Sequence, residues 1–149
     1  MVATPHMLVG AAVALRVRSV KSAVAAGVLS HLALDAIPHS EYRLGGVGGL
    51  ALAADLAGGT LAVYKLSGGS EIALAGALGG LLPDIVLFAE EVLDMKIARR
   101  VHEYIHATSD PPLWGGLTTQ GLTAATAAVV LRTAARRGRH VQTTVSPVT

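Results

Sequence analysis

The chain has 149 residues, of which 52% are hydrophobic, 15% charged and 3% aromatic, with a net charge of +2 and a mean hydropathy of +0.54. That length suits one domain rather than two, and so apolar a composition excludes intrinsic disorder and points to a membrane. With no cysteine and few rings, a disulfide framework, a thiolate zinc site and a stacking groove for nucleic acid are excluded as well.

Five apolar stretches follow one another, with charge between them. Pro5–Leu15 is short and is closed by Arg16, Arg18 and Lys21. Ser22–Ile37 ends at Pro38, which should stop a helix and turn the chain back. Leu44–Leu66 contains one charge, Asp55, and Ile72–Ala89 contains Pro83-Asp84. Glu90–Asp110 reads as a charged helix, and Pro111–Leu131 carries no charge before the basic residues that begin at Arg132.

A bilayer crossing takes about 20 apolar residues. The third, fourth and fifth stretches meet that length, the second is borderline and the first is short. The expectation is an all-α, multi-spanning transmembrane bundle of four to five membrane helices plus one charged helix. It forms a single domain over residues 1–137, with a disordered polar tail over 138–149. A soluble Ala-rich bundle is the alternative. Gly58-Gly59 and Gly79-Gly80 suit close helix packing in lipid. No cleavable signal is expected, because Met1–His6 lacks a basic leading region.

If the stretches cross in turn, their ends alternate between two faces. One face collects Arg16, Arg18, Lys21, Lys65, Arg132, Arg136, Arg137 and Arg139 against Glu71 alone. The other mixes Arg43, Lys96, Arg99 and Arg100 with Glu41, Glu90, Glu91, Asp94, Glu103 and Asp110. The positive-inside rule then places the first face and the C-terminus in the cytoplasm of a cell (inner) membrane. Membrane-flanking arginines account for the basic tail, so no nucleic-acid partner is expected; the partner is membrane lipid.

The same topology puts His6, His31, Asp35, His39, Asp84, His102 and His106 on the other, outer face, with His140 a bystander in the tail. Residues four apart on a helix point the same way, so His31 and Asp35 present an imidazole and a carboxylate to one point, and His102 and His106 repeat the spacing. Imidazole and carboxylate donors suit Zn²⁺, Mn²⁺ or Fe²⁺, zinc foremost, and thiolate-free sites are typical of catalytic zinc. Each residue also has a plain structural role open to it. His6 can be an interfacial polar group, His31 and Asp35 a self-satisfied pair, Asp84 the cap of a helix restarting after Pro83, and His102 and His106 a solvated face. Several carboxylates at one depth, each costing about 3 kcal/mol in lipid, favour a shared site. Asp55, mid-span, can be a deep ligand, an acceptor behind a ligand, or a protonated carboxyl.

With these residues in view, the sequence resembles the YbcI/YdjM-type family of small membrane-bound, metal-dependent hydrolases, itself similar to zinc-dependent phospholipases C. The matching pieces are Thr4-Pro5-His6 with Leu8-Val9-Gly10-Ala11, the Ser30–His39 run, Leu81-Leu82-Pro83-Asp84-Ile85 and His102–His106, spread over residues 4–120. Relatives carry a second acidic residue where Val86 stands, and His102-Glu103-Tyr104-Ile105-His106-Ala107-Thr108 replaces a His-Arg-x3-His-Ser element. The resemblance implies a divalent-metal hydrolase, with a phosphoester of a lipid headgroup as the substrate its depth suggests. His6, His31, Asp35, Asp84, His102 and His106 would be ligands, His39 a ligand or proton shuttle, and Asp55 or Glu103 a general base. A metal-binding or ion-carrying membrane protein, and a scaffold in which the polar groups only pair helices, are the competing expectations.

Overall fold

Helix boundaries fall where charge and turn residues interrupt the apolar stretches. The computed structural model describes residues 3–37, 39, 48–93 and 113–144. Among them all regular structure is helical: α1 (Ala3–Ala14), α2 (Val20–Asp35), α3 (Gly48–Ser67), α4 (Glu71–Val92) and α5 (Leu113–Thr144). α5 therefore continues through the start of the expected polar tail, because Ala134, Ala135, Arg136 and Arg137 favour helix and one glycine, Gly138, does not stop it.

The two described turns are tight. Ser19 caps α2, its hydroxyl accepting the Ser22 N–H at 3.1 Å. Between α3 and α4 the chain reverses over Gly68 and Gly69, whose φ angles are 68° and 79°. The Gly69 N–H bonds the Tyr64 carbonyl at 2.9 Å, closing α3 in a Schellman arrangement, and Ser70 then caps α4 by accepting the Ala73 N–H. A side chain at Gly68 would meet the left-handed penalty of about 1–2 kcal/mol. Gly68→Ala is therefore expected to lower the thermal midpoint in detergent, whereas Gly58→Ala, with open space around its added methyl, is not. Equal midpoints would remove this account of the turn.

Among the described helices α1 is the shortest and the central one. It packs against all four others, while α2 meets α1 and α4, and α3 meets α1, α4 and α5. Eight of its twelve residues are buried, including Pro5, His6, Met7, Leu8 and Ala11, and it has no polar face, as an enclosed helix requires. The main core joins Met7, Leu8 and Ala11 to Val63, Ala73, Ala77, Ala127 and Leu131. A smaller cluster of Ala14, Ala23 and Ala75 closes the turn end.

What draws α1, α2 and α4 together is a glycine register. A methyl group on Gly10 would strike the Gly76 carbonyl, one on Gly27 the backbone of Gly76 and Gly80, and one on Gly80 the His6 carbonyl. Gly76 and Gly80 form a small-xxx-small pair, and such pairs let backbones touch. The pairings His6 with Gly80 and Gly10 with Gly76 run α1 antiparallel to α4. Both described turns thus lie at one end, where Arg16, Arg18, Lys21 and Lys65 gather, and Leu131 packs with Val63 and Ala73 toward it.

Two helices, over Gly49–Ser67 and Glu71–Glu90, are long and apolar enough to cross a membrane. Only 11% and 28% of these spans are buried within the protein. Leu50, Leu61, Leu78, Ile85, Phe88 and Val92 face outward. α5, expected as a third span, is not one of these two. Thr118, Thr119, Gln120, Thr123 and Thr126 dilute its charge-free part.

Candidate metal centre

The glycine register also positions the polar residues. On α1 the four-residue stripe is His6, Gly10, Ala14; on α2 it is Gly27, His31, Asp35; on α4 it is Gly76, Gly80, Asp84. Each step of four rises about 6 Å along one face. Glycines let the three helices meet near one end of the stripes, so the imidazoles and carboxylates meet at the other. α4 runs unbroken through Pro83 to Val92, which makes Asp84 an interior helical residue and not the cap of a restarted helix.

His6 and His31 are completely buried and Asp35 is 2% exposed. The two imidazole rings stack, with centroids 3.9 Å apart and planes inclined by 26°. His31 Nδ1 lies 2.7 Å from the Gly80 carbonyl oxygen, which can only accept, so Nδ1 carries the proton and donates it. In a neutral ring Nε2 then presents a lone pair. It faces Asp35 Oδ2 at 3.0 Å and Asp84 Oδ1 at 3.5 Å. His6 Nε2 lies 3.5 Å from Asp35 Oδ1. Lone pairs turned on carboxylate oxygens repel unless a proton or a cation lies between them.

The donor set fits a cation. His6, His31 and Asp84 each offer one atom, and these atoms all lie within 4.8 Å of one another. Tetrahedral zinc with bonds near 2 Å holds its donors about 3.3 Å apart, close to the 3.5 Å from His31 to Asp84. Among the described residues both ring nitrogens of His6 are buried without a hydrogen-bond partner, and Nε2 of His31 has only the carboxylates of Asp35 and Asp84 before it. Such groups cost about 1–3 kcal/mol each when left so, and coordination is one way to satisfy them. The Gly80 carbonyl on His31 Nδ1 is the kind of outer contact that fixes a ligating tautomer.

The other expected residues fall as follows. Asp35 is not in the converging trio but touches both of its histidines. His39 is 3% exposed, its Nδ1 is 2.6 Å from the Ile37 carbonyl, and it lies within electrostatic range of His6. Asp55 stands apart from the cluster's contacts and holds the start of α1. Its Oδ2 accepts the Thr4 N–H at 3.1 Å, its Oδ1 accepts the Thr4 hydroxyl at 2.5 Å, and its backbone carbonyl lies 3.1 Å from that hydroxyl. His102, Glu103 and His106 lie outside the described residues, and His140 falls in the last turns of α5.

Two participants were not read from the sequence. The Gly80 carbonyl carries no side-chain signal, although Gly76-x-x-x-Gly80, one turn before Asp84, is a packing motif that marks the site's register. Thr4 is the other; it stands in the Thr4-Pro5-His6 piece of the resemblance, where nothing points to Asp55 as its partner. Compared with known proteins, the chain matches no family model, no curated protein and no solved structure.

Proposed function

We propose that this chain is a membrane-bound, metal-dependent hydrolase with four to five helical crossings, as its resemblance to the YbcI/YdjM-type family implies. In this reading the cluster of His6, His31 and Asp84, with Asp35 beside it, holds a divalent ion, zinc foremost. The observation that carries the reading is the convergence of one nitrogen from each of two buried imidazoles, His6 and His31, with one carboxylate oxygen of Asp84, all within 4.8 Å of one another. A pair of histidines serving only to bridge helices would be hydrogen-bonded to its neighbours.

A bound divalent ion supplies Lewis-acid polarisation of an ester and brings the pKa of water toward neutrality. The protein's own groups do the rest. Gly80 holds the His31 tautomer, and Asp35 sets a negative charge between the two buried rings. Asp84, 43% exposed, is the open edge of the cluster. Beside it Ile85, Val86 and Phe88 are exposed and apolar, so the approach to Asp84 runs along a greasy surface. That setting favours an amphiphile, a phosphoester in a lipid headgroup. His39 is the described residue best placed to move a proton; Glu103 is the carboxylate that would complement it.

The basic turn end, by the positive-inside rule, belongs in the cytoplasm with the C-terminus, which leaves the cluster toward the outer face of the cell (inner) membrane. Intramembrane Asp and His also mark ion pathways, and the deep residue Asp55 would favour non-enzymatic ion carriage; its bonds to Thr4 supply another role for it.

Elemental analysis of detergent-purified protein tests the metal. Stoichiometric zinc or manganese is expected, lost in His31→Ala and in Asp84→Ala. Metal-dependent cleavage of a phosphodiester dye or of phospholipid in mixed micelles is expected with it. Protein free of metal after metal-replete purification would sink the proposal, and metal without cleavage of any ester would point to ion carriage.

A further inference from the structure

The two buried histidines are held in different ways. His31 is fixed through its ring by the Gly80 carbonyl. Among the described residues the ring of His6 has no hydrogen-bond partner at either nitrogen, although histidine ligands ordinarily gain their aim from a partner on the second nitrogen. Beyond the stack on His31 and the Asp35 carboxylate 3.5 Å away, its aim comes from the backbone that carries it.

That backbone is gripped from two sides. Gly80 lies against the His6 carbonyl, and Gly59 of α3 lies against Thr4 and Met7. Beside Gly59, Asp55 takes both the N–H and the hydroxyl of Thr4. The Thr4 N–H belongs to the first turn of α1, where backbone donors have no partner inside the helix, and a carboxylate there also complements the helix dipole. Pro5 stands between Thr4 and His6 with its φ fixed by the ring, so a displacement of Thr4 passes to His6 with little slack.

We propose that Asp55 is a positioning residue of the metal centre, acting through Thr4 and the first turn of α1 to aim the His6 imidazole. The proposal rests on the metal-site reading above. It explains why a carboxylate sits in the middle of an otherwise uncharged apolar span: it is an interhelical cap rather than a ligand.

Titration of the full-length protein in detergent with Co²⁺, followed by visible absorption, tests it. Asp55→Ala and Thr4→Val are each expected to weaken Co²⁺ binding about 10–100-fold, the range for loss of an outer-shell partner. Thr4→Ser, which keeps the hydroxyl, is expected to bind as the parent does. The two damaging substitutions together should do no more than Asp55→Ala alone, since Thr4→Val removes one of the two bonds that the Asp55 carboxylate makes to Thr4. The Co²⁺ spectrum of Asp55→Ala should move toward that of His6→Ala, a change that general loosening of the bundle would not produce. Removing a carboxylate from an apolar span favours insertion, so weaker binding would not reflect failed insertion. Parent-like Co²⁺ affinity in both Asp55→Ala and Thr4→Val overturns this role and leaves the metal site standing. Failure of the parent protein itself to take up Co²⁺ overturns the metal site and this role with it.

Discussion

Gly80→Leu is expected to abolish metal binding, although Gly80 contributes no side chain to the centre. Any Cβ at this position meets the His6 backbone carbonyl, so α1 must move away from α4. Zinc needs its donors drawn to about 2 Å, and those of His6, His31 and Asp84 lie within 4.8 Å of one another, so a further separation of the helices works against closing the site. The Gly80 carbonyl that orients His31 moves with it. Overpacking of this kind costs about 1–3 kcal/mol in stability, but the larger effect falls on the metal. Gly58→Leu, on the open face of α3, is the matched control and should retain the full metal content. Metal binding unchanged in Gly80→Leu would mean that the contact between α1 and α4 does not govern the site.

Removing the metal is expected to destabilise the whole bundle, because the ligands come from three helices. His6 is on α1, His31 on α2 and Asp84 on α4, and an ion shared among them binds only the assembled state. Free ion at 1,000 times its dissociation constant adds about 4 kcal/mol to the stability of the folded form. Thermal melts in detergent should shift down on adding a strong chelator and recover on adding excess zinc. His31→Ala should melt at one temperature with or without chelator. A parent protein indifferent to chelation, with metal shown to be present beforehand, would mean that the ion does not cross-link the three helices.

The helices themselves were legible in the chain. Runs of Ala, Leu, Val and Gly free of charge leave the backbone no partner in an apolar medium except itself, and charges and glycines mark where each run must stop. The α3–α4 turn follows from Gly68, Gly69 and Ser70 alone, and the four-residue spacing of His31 and Asp35 follows from helical geometry. The trio of His6, His31 and Asp84 was legible as a set of candidates, because residues of that type are too costly in lipid to be idle. Asp55 was not legible in its role. A lone carboxylate in an apolar run needs a partner, and nothing along the chain names Thr4, 51 residues away.

The sequence alone therefore determined the local terms: which segments are helical, where they turn, and which residue types can bind a cation. Tertiary structure alone decided the partnerships. It put α1, the shortest of the described helices, at their centre, because only close backbone approach at Gly10, Gly27, Gly76 and Gly80 lets three helices share one seam. It also separated His6, His31 and Asp84, which converge with Asp35 beside them, from Asp55, which holds the helix that carries one of them. Helical periodicity sets the face on which a side chain lies. Which other face it meets depends on contacts between distant segments, and a glycine records such a contact only by the atoms it lacks.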